Sequence, residues 1–121
     1  MFVCRDKEYF FNTIFSGITI HLFSNDITPD KDTLIDDYKE VNADGYSPIF
    51  LAYGDFKFES DRLIIKKEFS VNRQALIYGY YLTAAGNLIG GERFTKAPYK
   101  IYITGIIKLN IKVFLNIKSR K

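Results

Sequence analysis

The feature that most restricts the fold lies near the C-terminus, where side chains alternate over residues 108–118. Leu109, Ile111, Val113, Leu115 and Ile117 face one way, while Lys108, Asn110, Lys112, Asn116 and Lys118 face the other. An extended strand sends successive side chains to opposite faces, whereas a helix would scatter these five apolar residues around its axis. A strand with one dry and one wet face needs a sheet, and the sheet needs a second layer to cover it.

Similar segments precede it. Ile18–Phe23 alternates, with Ile18, Ile20 and Leu22 on one side. Pro48 to Tyr53 reads as a strand, and Phe56 and Phe58 alternate with Lys57 and Glu59. A turn at Ser60-Asp61 leads into Leu63–Phe69. Gln74 to Thr83 is apolar on both sides, as a central strand should be, and Ala84-Ala85-Gly86-Asn87 is a hairpin turn. Gly90-Gly91 in the return strand marks a bulge or a close approach, and Tyr99 to Ile103 is a further strand. The spacing predicts a mainly β chain, an antiparallel β-sandwich or barrel-like domain.

One or two short helices are expected in the N-terminal third. Phe10, Phe11, Ile14 and Phe15 form an apolar stripe over residues 6–16, stopped by Gly17. After a loop at Ser24–Asp30, Asp32 or Thr33 caps a second helix running to about Val41. Leu34, Ile35, Tyr38 and Val41 would share its buried face. The 121 residues contain no linker or repeat and read as one domain. Residues 1–17 form its helical segment, 18–117 the β-rich core and 118–121 a basic tail.

Several chemistries lack their residues. Cys4 is the single cysteine and His21 the single histidine, too few for a disulfide within the chain or the usual zinc ligand set. Arg5-Asp6-Lys7-Glu8 interrupts the first apolar residues, and no run nears the roughly 20 needed to span a bilayer. A soluble chain from a reducing compartment is expected. His21 points away from Ile20 and Leu22; a catalytic role would require a nucleophile or a carboxylate brought from elsewhere, and no nucleophile motif is present. Asn25, Asp26, Asp30 and Asp32 gather oxygens but lack the glycine and distal glutamate of a calcium loop, so they read as a turn and cap. Gly86–Gly91 has no phosphate-binding lysine and no following helix. No catalytic centre, cofactor or metal is therefore expected.

What remains is a binding protein. Residues 1–60 carry eleven acids against five bases, a net of −6, and residues 61–121 carry twelve bases against three acids, a net of +9. That contrast suits head-to-tail contact between copies, or simple solvation of two faces. Tyr78, Tyr80 and Tyr81 crowd one strand, and tyrosine buries a ring while keeping one polar contact. Lys108, Lys112 and the basic tail could meet nucleic acid, but stacking aromatics are sparse there.

Three elements carry a family resemblance. They are Leu22–Thr33 (LFSNDITPDKDT), Asp37–Tyr46 (DYKEVNADGY), and Tyr78-Gly79-Tyr80-Tyr81 followed by Ala84–Asn87 and Glu92-Arg93-Phe94. In order and spacing they resemble small tailed-phage structural proteins, over roughly residues 18 to 115. The resemblance implies a non-enzymatic virion component made in the host cytoplasm. Its partners would be copies of itself and capsid, portal or tail proteins, with nucleic acid not the expected partner. The interface would use Asn25, Asp26, Asp30, Tyr46, Tyr78, Tyr80, Tyr81 and Lys112. The chain departs from many relatives in having no tryptophan and in its basic C-terminal end. An alternative is a carbohydrate-binding module at a receptor-binding tip, with tyrosines beside Asn25, Asp26 and Asn87 stacking on a sugar. Another is a nucleic-acid-associated protein using the basic half.

Overall fold

The computed structural model describes residues 3–4, 17–43, 45–59, 62–72, 74–103 and 105–114. The helix expected over 6–16 and the basic tail lie outside these residues.

The alternating C-terminal segment, as far as the described residues reach, lies in the longest ladder of the fold. Strand β10 (Gly105–Phe114) pairs antiparallel with β5 (Arg62–Val71), from Gly105 opposite Val71 to Phe114 opposite Arg62. Ile107, Leu109 and Ile111 are buried and Lys108, Asn110 and Lys112 exposed, as the period of two requires. Strand β4 (Phe56–Glu59) adds to the other side of β5 and completes a three-stranded sheet.

The second layer is a five-stranded antiparallel sheet. It takes β1 (Val3–Cys4), β2 (Ile18–Phe23), β3 (Ile49–Leu51), β7 (Gly79–Ala84) and β8 (Asn87–Arg93) in the order β1-β8-β7-β2-β3. Strand β7 is central, with all six residues buried, as its two apolar sides foretold. The inner side chains of the two sheets form one core: Ile18, Ile20, Leu22, Leu82 and Ile89 from the five-stranded sheet meet Leu63, Ile65, Phe69, Leu109 and Ile111 from the three-stranded sheet. The architecture is therefore sandwich-like, and the described strands form no closed barrel.

Turn chemistry behaves as read. Ala85 (φ 51°) and Gly86 (φ 82°) both take positive φ, as a two-residue hairpin turn of the primed kind demands. Leu82 faces Gly90 while Thr83 faces Leu88, so Ile89 is the extra residue of a bulge.

Two expectations are corrected. The Gln74–Thr83 segment is not one strand: β6 (Ala75–Ile77) pairs with β9 (Tyr99–Ile101) in a separate two-stranded sheet, and β7 begins only at Gly79. Gly79 is where the sheets part. A Cβ there would lie 2.1 Å from the Glu92 carbonyl oxygen and 2.6 Å from the Phe23 ring. The helix expected from Thr33 to Val41 shrinks to a 3-10 turn at Ile35–Asp37, and Tyr38 is already extended. Side chains take the backbone groups a helix would use. Asp30 Oδ1 accepts from Asp32 N–H (2.8 Å), Asp37 Oδ2 from Leu34 N–H (2.8 Å), and Asn25 donates to Asp37 O (2.8 Å).

Candidate functional site

Most, though not all, of the residues singled out in the sequence lie at the outer face and edge of the five-stranded sheet or on the loop beyond it. After β2 the chain loops out and returns along the same strand edge. Glu40 bridges to Phe23, Ser24 N–H donates to Lys39 O (2.7 Å), and Val41 N–H donates to Leu22 O (2.9 Å). This return supplies the carboxylate that His21 lacked in the sequence. His21 Nδ1 stands 2.8 Å from Glu40 Oε2, and Nε2 stands 2.8 Å from Thr83 Oγ1. A carboxylate only accepts, so Nδ1 carries the proton, and in the neutral ring Nε2 accepts the Thr83 hydroxyl. The same Glu40 oxygen accepts the Tyr46 hydroxyl at 2.6 Å, and the Tyr46 oxygen accepts Leu22 N–H at 3.0 Å. Leu22 N–H lies past the end of the β3 pairing, which stops at Ile20. Tyr46 thus fills the gap in the ladder.

Carboxylate, imidazole and hydroxyl in a row form the order of an acyl-transfer relay. A nucleophile also needs an approach and a site for the developing oxyanion. Thr83 is 7% exposed, on a strand buried at every position, and the Tyr81 ring stacks on the imidazole at 4.6 Å and 12°. The network latches the returning chain to the sheet.

A column of rings reinforces the latch. Tyr81 stacks on Tyr38 at 4.4 Å, and Tyr38 tilts against Phe23 at 5.1 Å. Gly91 makes room for it, since a Cβ there would lie 2.4 Å from the Tyr38 hydroxyl. Burial pushes the Tyr81 phenol up to about 12, helped by the Glu40 charge. Burial raises Tyr38 further, and Tyr46 too, where the bond to Glu40 adds to it.

Beyond the latch the chain projects an acidic knob. Asn25 holds its neck, donating to Asp37 O and accepting Lys39 N–H at 2.9 Å. Arg93 pairs with Asp26, donates to Ile27 O at 3.2 Å and lies over the Tyr78 ring at 5.2 Å. Asp30 closes the tip turn with Asp32 N–H and Thr33 Oγ1. Leu34 (54%) and Ile35 sit exposed at the end, not buried as a helix face would be.

The opposite layer is basic. On the outer face of the three-stranded sheet, Lys57, Lys66, Lys108 and Lys112 are exposed beside Glu59 and Glu68. Lys66, Glu68, Lys108 and Asn110 wall a depression of about 460 Å³. Between the layers a cleft of about 410 Å³ opens, lined by Tyr80, Glu92, Phe94, Lys96, Tyr99 and Lys108. There Tyr80 donates to Glu92 Oε1 at 2.8 Å, and Phe94 stacks on Tyr99 at 5.0 Å.

The proposed interface residues therefore divide. Asn25, Asp26, Asp30 and Tyr78 gather at the knob and its neck, and Tyr46 and Tyr81 at the latch. Tyr80 lies in the core, its phenol raised by burial, and Lys112 sits on the far sheet. Tyr80 and Tyr81 present no ring to solvent. Sequence reading missed the Glu40 partner of His21, the Arg93 clamp and the bare Leu34–Ile35 tip. Among the described residues no group of three His, Cys, Asp or Glu converges as metal ligands would. Set against known proteins, the chain matches no family model, no curated sequence and no solved structure, so the phage resemblance rests on the short elements quoted above.

Proposed function

We propose that this chain is a non-catalytic structural subunit that assembles with copies of itself and with capsid or tail components of a tailed-phage particle. The observation that carries this reading is the apolar surface left on the rims of a sandwich whose core is already filled. Phe50 on β3 is 64% exposed, and Tyr102 (71%), Ile103 (77%) and Ile106 (59%) cluster at the start of β10. Both strands are outermost in their sheets among the described residues. Edge strands bearing large apolar groups invite a neighbour, and burying each such side chain contributes about 1.5–3 kcal/mol. The order and spacing of the three sequence elements support the virion setting. Sedimentation velocity from micromolar to near-millimolar protein tests the self-assembly half. A discrete oligomer, a ring or trimer, is the expected result; monomer throughout counts against it.

The cleft favours a second reading. A stacked Phe94–Tyr99 pair beside Glu92, Lys96 and Asn110 offers a ring face and polar groups to a saccharide. Chemical-shift changes at Phe94 and Tyr99 on adding host-surface polysaccharide would support it, and none at millimolar sugar would remove it.

A further inference from the structure

We propose that copies of this chain join head to tail, the Leu34–Ile35 knob of one seating in the lysine-walled depression on the three-stranded sheet of the next. This rests on the assembly reading and names the two surfaces it would use.

The knob is built to be exposed. Its apolar tip is held out by Asn25 at the neck, by Arg93 on Asp26 and Ile27, and by Asp37 on Leu34 N–H. Its base is pinned where Tyr38 stacks on Tyr81. A tip already held in shape loses little freedom on docking. Residues 30–37 carry Asp30, Asp32, Asp36 and Asp37 against Lys31 alone, a net of −3 around two bare aliphatic side chains.

The receiving face has the complementary chemistry. Lys66 and Lys108 stand on either side of the depression, Glu68 lies across from Lys108, and Lys112 stands further along β10, so the rim keeps an excess of positive charge. The register sets the Lys67–Leu109 pair between them, so the floor is strand backbone and the rim is charged. Acid meeting base favours knob on face, whereas knob on knob or face on face sets like charges together. Pairing two β10 edges would likewise crowd Lys108 and Lys112 of both copies. The knob's base lies on the five-stranded sheet and the lysines on the other, so the two surfaces belong to opposite layers. Such a heterologous contact closes into a ring or grows into a filament.

The experiment is sedimentation velocity on the full chain, comparing wild type with Asp36→Lys, Lys108→Glu and Leu34→Ser. All three positions are exposed, so the far-UV spectrum should not change. Each substitution should weaken association about tenfold or more, since rim charge and the apolar tip both act at the contact. An equal mixture of Asp36→Lys and Lys108→Glu should regain wild-type association, because each altered surface then meets the other. Added salt should weaken wild-type association. If wild type assembles and none of the substitutions alters it, the knob proposal is overturned while assembly through the apolar rims stands. If wild type stays monomeric at every concentration, both fall. If Lys108→Glu leaves association intact but abolishes binding of a single-stranded oligonucleotide, the basic face serves nucleic acid and the proposal is likewise overturned.

Discussion

His21 and Glu40 stand nineteen positions apart in the chain and meet at 2.8 Å, closing the loop between them onto the sheet. Glu40 reaches that point because its backbone has joined the edge of β2, opposite Phe23. One carboxylate oxygen then serves two donors, His21 and Tyr46. The segment from residue 24 to residue 39 projects beyond this contact, which closes its base together with the Ser24–Lys39 and Leu22–Val41 backbone bonds.

Tyr46→Phe tests the latch most cleanly. It keeps the ring that stacks on Phe69 at 5.9 Å but strips the hydroxyl from both Glu40 and Leu22 N–H. A part-buried donor and a carboxylate would each lose a partner, at a cost of about 1–3 kcal/mol. Denaturant unfolding should show the loss in the midpoint with an unchanged slope.

The glycines make a graded series. Gly79→Ala sets a methyl against the Glu92 carbonyl, which belongs to the neighbouring strand and cannot move alone. It should cost about 3 kcal/mol or more, or prevent folding. Gly91→Ala meets first the Tyr38 hydroxyl, at the far end of a side chain, and should cost less while displacing the ring column. Gly54→Ala has open space and should be nearly neutral. Thermal unfolding of the three variants should preserve that order.

These effects show what the sequence could and could not display. The period-two alternation of β2 and β10 depends only on one face being dry, so both strands were legible, as were the hairpin at Ala85–Gly86 and the close approach at Gly91. The Leu34–Val41 helix was misread because its apolar spacing was genuine while Asp30, Asp37 and Asn25 were taking its backbone groups. The break at Tyr78 depends on how Gly79 meets Phe23 and Glu92, which are distant in the chain. The His21–Glu40–Thr83 row was invisible for the same reason: three positions distant in the chain become neighbours only once the register is set.

Alkaline pH should unfold this chain early. Tyr38, Tyr46, Tyr80 and Tyr81 are all raised above the ordinary tyrosine value of about 10. Above that pH the unfolded chain releases protons that the folded chain keeps, so stability falls as pH rises. The contribution is complete below pH 10 and fades above it. Phenolate absorbance near 295 nm should rise in step with loss of strand signal, not before it. Reversible ionisation of these four tyrosines in a folded chain would contradict the burial.

Asn25→Ala should free the knob without unfolding the sandwich. The side chain bonds the backbone at Asp37 and Lys39, both at the surface, so the loss should be about 0.5–1.5 kcal/mol. Hydrogen exchange at the Lys39 amide should quicken by about tenfold, while exchange in β7 stays slow.

The most direct test of a place in the virion is quantitative mass spectrometry of purified tailed-phage particles from the native source, set against the major capsid protein. The chain should be present in a fixed ratio to capsid, with the ratio telling a many-copy decoration from a few-copy ring. Particles that are intact and infectious yet lack the chain would contradict it.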